Sequence, residues 1–111
     1  MPGYDLTLTK DHAMRLTLEQ ASTIRRIVRE EAGNDASVRL FGSRLDEDAR
    51  GGDIDLFVQT AHPVERPALF SARIAARLMR ALNGRHVDLL LAAPNLRDLP
   101  IHEQARAGVL L

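Results

Sequence analysis

The sequence predicts an α+β fold in which helices pack on one face of a small mixed β-sheet. The predicted elements follow one another in the order α-β-β-α-β-α. Apolar residues make up 45% and charged residues 27% of the 111 residues, which is typical of one compact globular domain. Because aromatic residues are only 4%, the core is predicted to be aliphatic.

The first helix is predicted over residues 18–32. Thr17 and Gln20 have the spacing of a capping box, in which each side chain satisfies a backbone N–H of the other residue. Apolar residues then recur at steps of three and four and form one helical face: Leu18, Ala21, Ile24, Val28 and Ala32. Gly33 is predicted to end the helix.

Three strands are predicted, over residues 36–41, 53–58 and 86–93. In the second of them the side chains alternate between the two faces of the sheet. One face carries Asp53, Asp55 and Phe57, and the other carries Ile54, Leu56 and Val58.

A second helix is predicted over residues 66–82, because Pro67 favours a helix start and Asn83-Gly84 favours its end. Its predicted inward residues are Leu69, Phe70, Ile74, Leu78, Met79 and Leu82. A short helix near residues 101–108 is predicted to close the chain.

The overall composition restricts the class of function. The 15 basic and 15 acidic residues cancel, so a nucleic-acid substrate is disfavoured. The absence of cysteine excludes disulfides and thiolate metal sites. No apolar run reaches membrane-spanning length and the start does not have the pattern of a signal peptide, so a cytoplasmic protein is expected.

The domain is predicted to span residues 17–111, with residues 1–16 as a loose N-terminal tail. Met14 is an alternative start, and the sequence does not separate the two interpretations. It also leaves open whether the protein forms a homodimer.

A polar stretch between the first two strands carries the strongest functional signal. Gly42-Ser43 is followed, after nine residues, by Asp53-x-Asp55. A glycine just after a strand lets backbone amides approach a phosphate closely, and the serine adds a hydroxyl donor. Arg44 follows directly and is a further candidate for phosphate contact.

The Asp-x-Asp pair predicts a metal site. Two carboxylates on one face of a strand lie about 7 Å apart. That span suits two hard cations about 3.5–4 Å apart. Mg²⁺ is the expected metal, because it binds a few carboxylates together with substrate phosphates.

Asp88 is the candidate for a third carboxylate. It lies within the apolar third strand, between Val87 and Leu89, which face the opposite way. A carboxylate in such a strand is costly unless it is paired or bound to metal. We therefore expect Asp88 to lie on the same sheet face as Asp53 and Asp55.

These motifs carry a family resemblance. The stretch "FGSRLDEDARGGDIDLFV", together with the later "HVDLLL", resembles the signature of the nucleotidyltransferase superfamily with the DNA polymerase β-like palm. More closely, it is similar to the minimal nucleotidyltransferases, the small stand-alone members. The resemblance spans about residues 17–93.

The resemblance implies a polymerase β-like palm that moves a nucleoside monophosphate from a nucleoside triphosphate to a hydroxyl, using two Mg²⁺ ions. It implies that Gly42 and Ser43 hold the triphosphate. Asp53 and Asp55 would bind both metals, and Asp88 would bind the metal that activates the acceptor. Some minimal members are antitoxins that adenylylate a tyrosine of a helical HEPN-type toxin.

Three functional hypotheses stay open from the sequence alone. The first is AMP transfer from ATP to a partner protein such as a HEPN-type toxin, because the chain offers no second lobe for an acceptor. The second is the same chemistry on an aminoglycoside-like small molecule. The third is a non-catalytic partner-binding module.

Several residues also have an ordinary structural interpretation. Gly42-Ser43 alone is typical of a plain turn, and an Asp pair alone can be a solvated strand start. His86 shares a strand face with Asp88 and is either near the site or an ordinary residue at the strand start. A solvated helix face is one interpretation of Arg73, Arg77 and Arg80; a binding face for an acidic partner or phosphates is the other.

Overall fold

The computed structural model describes residues 16–42 and 54–111. Within these ranges the chain forms three helices, and none is long and apolar enough to cross a membrane. The helices are α1 (Leu18–Ala32), α2 (Pro67–Ala81) and α3 (Pro100–Arg106). The strands are β1 (Ser37–Leu40), β2 (Ile54–Gln59), β3 (Val87–Ala92) and β4 (Val109–Leu110).

The described strands form one mixed sheet in the order β3-β2-β1-β4. β1 pairs antiparallel with β2 and with β4, whereas β2 and β3 are parallel. Parallel neighbours need a crossover connection, and α2 supplies it here. Among the described strands, β3 lies at the edge of the sheet, and its chain direction matches that of β2.

The main core lies between the sheet and the two long helices. Every second residue of β2 faces this core, and Ile54, Leu56 and Val58 are almost completely buried. Ile24 and Val28 of α1 and Ile74 and Leu78 of α2 are each 0% exposed and cover that face. The predicted fold class is confirmed: a mixed α+β domain consistent with the polymerase β-like palm.

The short helix α3 lies against the opposite face of the sheet. Phe57 alternates with Leu56 and Val58, so it points away from the main core, yet it is 0% exposed. The ring of His102 on α3 lies 5.8 Å from the Phe57 ring, centroid to centroid. α3 thus forms a second, smaller layer that covers part of the sheet face for which no helix was predicted.

The predicted start and end of α1 are confirmed. The Gln20 backbone N–H donates to Thr17 Oγ1 at 3.0 Å, and the Thr17 N–H donates to Gln20 Oε1 at 2.9 Å. Gly33 ends the helix with φ of +103°, a left-handed value that favours glycine. The two local signals fix the helix at residues 18–32, as expected from the sequence.

Two expectations were wrong. β4 was not expected, because two residues carry no periodic pattern, and it forms only by pairing with β1. Leu69 was expected to face the core but is 60% exposed. It lies in the first turn of α2, where it projects into a surface groove instead of the core.

Two ion pairs join α1 to α2. Arg77 Nη2 lies 2.7 Å from Glu30 Oε1, and Arg77 Nη1 lies 2.9 Å from Glu31 Oε2. The hydrogen bond from Arg77 lowers the pKa of Glu30 below its ordinary 4.5. Of the three arginines predicted to share one face of α2, Arg77 is therefore bound within the domain.

The capping box of α1 can be tested by replacing Thr17 with alanine. The Gln20 N–H then loses its acceptor, and we expect the free energy of unfolding to fall by about 1 kcal/mol. Ser22→Ala, at an exposed position inside the same helix, is the control and should change it by less than about 0.5 kcal/mol. Urea unfolding measures both. An equal effect of the two variants would contradict the role of the cap.

The ion pairs of Arg77 predict a pH-dependent contribution to stability. Because the pKa of Glu30 is lowered in the folded state, the contribution is complete above pH 4.5 and is lost as the pH falls through the lowered value. Arg77→Gln should therefore decrease the melting temperature near neutral pH, and the difference from wild type should shrink in acid. Arg80→Gln, an exposed arginine of the same helix, is the control. A difference that stays constant down to strongly acidic pH would contradict this prediction.

Candidate functional site

The register of β2 and β3 brings two of the predicted carboxylates together. Asp55 and Asp88 are direct partners across the parallel pair, so both side chains leave the same face of the sheet. Neighbouring strands lie about 4.8 Å apart, which sets the scale of the separation between the two residues. The expectation that β3 carries Asp88 to the face of Asp55 is confirmed.

The face on which these carboxylates lie is open at Asp88. Its side chain is 57% exposed, whereas Asp55 is half-buried. The His86 Nδ1 atom lies 3.7 Å from Asp88 Oδ1, so the histidine that precedes β3 is next to the carboxylate. β3 is the last strand on this side of the sheet among the residues that the structure describes.

Gly42 lies directly against Asp55. A Cβ atom built on Gly42 would be 2.7 Å from Asp55 Oδ2 and 3.3 Å from the Asp55 Cβ, so any larger residue would displace the Asp55 carboxylate. Gly42 also has φ of +91°, in the region that favours glycine. The preceding residue, Phe41, donates its N–H to the Asp55 carbonyl at 3.0 Å, which fixes the two chain segments relative to each other. Glycine is thus required here for two reasons, its backbone conformation and its contact.

The structure therefore brings together Gly42, Asp55 and Asp88. The other three predicted site residues, Ser43, Arg44 and Asp53, lie outside the described residues. Their roles, and those of the three described residues, stay predictions.

Among the described residues, Asp55 and Asp88 are the ones that could bind a divalent cation at this site. Two carboxylates in register on one face repel each other, and hard oxygen ligands of this kind are those that Mg²⁺ prefers. Within residues 16–42 and 54–111, no group of three or more acidic or histidine side chains is arranged to hold a metal ion. The described residues thus supply two of the three predicted carboxylates.

The packing beside Asp55 involves residues that no sequence pattern connects. Phe57 follows Asp55 on the same face and is enclosed by α3 and by Phe41, whose ring meets it edge to face at 6.5 Å. The Arg106 guanidinium carbon lies 5.8 Å from the centre of the Phe57 ring. This packing supports the strand segment that carries Asp55.

His102 holds α3 in place through both of its ring nitrogens. Its Nδ1 accepts a hydrogen bond from the Leu99 N–H at 2.8 Å, so Nε2 carries the proton and donates to the Leu91 carbonyl at 3.0 Å. The side chain is only 5% exposed. His102 is therefore a structural residue that joins the start of α3 to β3.

A bidentate ion pair fixes Arg106 at the same surface. Its Nη2 and Nη1 atoms lie 2.6 and 3.1 Å from the two carboxylate oxygens of Asp98. These hydrogen bonds lower the pKa of Asp98, so the carboxylate stays charged over a wider acidic range. The guanidinium is thereby held over Phe57 on the face that carries Asp55 and Asp88.

The arrangement combines two properties that phosphoryl chemistry requires. The paired carboxylates can hold a cation that neutralises phosphate charge. The glycine beside them lets the chain at the end of β1 lie directly against Asp55. A plain solvated hairpin would not require Asp88 to be in register with Asp55.

Comparison with known proteins agrees with this geometry. A family model described as a nucleotidyltransferase domain matches residues 21–106, more than three quarters of the chain. No match was found among curated proteins. The matched range contains Gly42, Asp55 and Asp88, and the family relation supports nucleotidyl transfer as the general activity. The chain therefore belongs to the nucleotidyltransferase domain family.

Proposed function

We propose that this domain transfers AMP from ATP to a hydroxyl of a partner protein, in the manner of the antitoxin-type minimal nucleotidyltransferases. The observation that carries the proposal is the in-register pair Asp55–Asp88 beside Gly42. The family match supports the transfer chemistry, and the choice of nucleotide, metal and acceptor is our inference.

In this proposal Asp55 and Asp88, together with Asp53, hold Mg²⁺. The metal would supply charge neutralisation at the phosphates. Gly42 lets the chain lie close to Asp55, and the backbone that follows would approach the triphosphate. Asp88 faces the open side of the site, so it is the carboxylate next to which an acceptor hydroxyl would lie.

The proposed reaction makes one bond and breaks one. The acceptor oxygen forms a bond to the α-phosphorus of ATP, and the bond from that phosphorus to the pyrophosphate oxygen breaks. The electron pair of the broken bond leaves with pyrophosphate, and the acceptor proton passes to Asp88 or to water. Such a reaction depends mainly on positioning and on neutralised charge, both of which a small rigid sheet can supply.

A protein acceptor is favoured by the exposure of the site. Asp88 is 57% exposed and lies on the outermost described strand on its side of the sheet, so a side chain projecting from a large partner could reach it without a channel. The resemblance to minimal nucleotidyltransferases indicates a helical HEPN-type toxin as the partner, with a tyrosine hydroxyl as the acceptor.

The carboxylate pair can be tested with isosteric substitutions. Asp55→Asn and Asp88→Asn keep the shape of the side chains but remove their charge, and each should decrease AMP transfer about a hundredfold or more. The assay follows label from ATP to protein in the presence of Mg²⁺ and a candidate partner. Asp35→Asn is the control. Asp35 is exposed and lies just before the start of β1, which is the end of that strand away from Asp55. Unchanged transfer by the two site variants would overturn the proposal.

The same assay separates the acceptor classes. Label on the partner protein supports the proposal, and mass spectrometry should find an added AMP on a hydroxyl side chain. Pyrophosphate release that depends on an aminoglycoside-like drug, with no label on protein, would contradict the protein acceptor while leaving the transfer chemistry in place.

The contact of Gly42 with Asp55 gives a second test. Gly42→Ala and Gly84→Ala place a side chain at nearly the same positive φ, +91° and +86°, so each should cost roughly 1–2 kcal/mol of stability. Only the alanine at position 42 would meet Asp55, because nothing lies within 4 Å of a Cβ at Gly84. We therefore expect Gly42→Ala alone to decrease the transfer rate, by about tenfold or more. Equal rates for the two folded variants would contradict the role of this contact.

A further inference from the structure

A second feature lies at the other end of the sheet from the carboxylates. A groove of about 320 Å³ follows the end of β2 and lies against the first turns of α2. Its apolar lining comes from Pro63, Val64, Leu69 and Phe70. Asp55 is near the start of β2, and the strand runs about 13 Å from Asp55 to Gln59 before the chain reaches the residues that line the groove.

The apolar part of the groove is exposed, and its backbone is held by hydrogen bonds. Leu69 is 60% exposed, the largest exposed fraction among the exposed large hydrophobic residues of the described chain. Val64, which also lines the groove, is held by Asn95, whose side chain accepts from the Val64 N–H at 2.9 Å and donates to the Val64 carbonyl at 2.8 Å. The groove is therefore preformed, which lowers the ordering cost of binding.

The charged residues around the groove are mostly basic. Arg66 and Arg73 lie on its rim, with Glu65 as the one acidic lining residue. By contrast, Arg77 and Arg106 are held by carboxylates of this domain. The first turn of α2 has no acidic residue and no side-chain cap, so its positive end also faces this region.

We propose that this groove is a docking site for a partner-protein segment that carries an apolar side chain flanked by carboxylates. The apolar side chain would cover Leu69 and Phe70, and the carboxylates would pair with Arg66 and Arg73. Such a surface is separate from the transfer site and does not depend on nucleotide. It would hold a partner while leaving the open face at Asp88 accessible.

The experiment selects peptides from a random library displayed on phage, with the wild-type domain as bait. A counter-selection on Leu69→Ser removes peptides that bind elsewhere. Enriched peptides should carry an apolar residue next to Asp or Glu. They should bind Leu69→Ser about tenfold more weakly than wild type, because burial of a leucine side chain contributes about a factor of ten to affinity. They should also bind Arg73→Glu more weakly than wild type.

Matched variants control for general effects of substitution. Leu110 is 59% exposed and lies outside the groove, so Leu110→Ser should bind the peptides as wild type does. Arg80→Glu reverses an exposed charge on the same helix and should also bind normally. Binding to Asp55→Asn without Mg²⁺ or ATP should be unchanged, which separates this proposal from the proposed transfer activity.

Three results would overturn the proposal. One is a failure to enrich any peptide, and another is an enriched set that is basic or that binds Leu69→Ser as tightly as wild type. The third is a wild-type dimer in sedimentation that becomes a monomer in Leu69→Ser, because the groove would then be occupied by a second copy of this chain.

Discussion

The parallel pairing of β2 with β3 is the constraint on which the rest of the molecule depends. A shift of one residue would move Asp88 from the face of Asp55 to the face covered by the long helices. The register is maintained because that covered face already contains Val87 and Leu91, whose burial favours the observed pairing. Burial of aliphatic side chains on one face therefore positions the carboxylates on the other.

The face that carries the carboxylates is divided into a closed half and an open half. The closed half is centred on Phe57, which α3 covers, and His102 fixes that helix to β3 through its hydrogen bond to the Leu91 carbonyl. Gly108 then lets the chain pass against the carbonyl of Leu40 and the Cβ of Phe41, where any larger residue would collide. The short C-terminal elements thus close the apolar half, and the polar half stays accessible at Asp88.

Local signals in the sequence predicted the elements that local interactions determine. α1 was predicted to the residue because its cap and its terminal glycine act within a few positions of each other. Alternation predicted the strand that carries Asp55, and the apolar run around Asp88 predicted the other strand. β4, the burial of Phe57 and the exposure of Leu69 could not be predicted in this way, because each depends on which distant segment lies beside it.

The same reasoning explains why the candidate site was predictable in part. Asp88 stood out because a carboxylate buried among aliphatic residues is costly. Its side chain is instead 57% exposed, so burial gives it no need of a partner, and its place beside Asp55 comes from the strand register. The contact between Gly42 and Asp55 had no such signal, since a glycine after a strand is also typical of any turn. Its significance comes from the pairing of Phe41 with Asp55, which brings the end of β1 to the start of β2. The two features that sequence patterns treat separately, the glycine and the carboxylate, are therefore one structural unit, and a change in either should affect the position of the other.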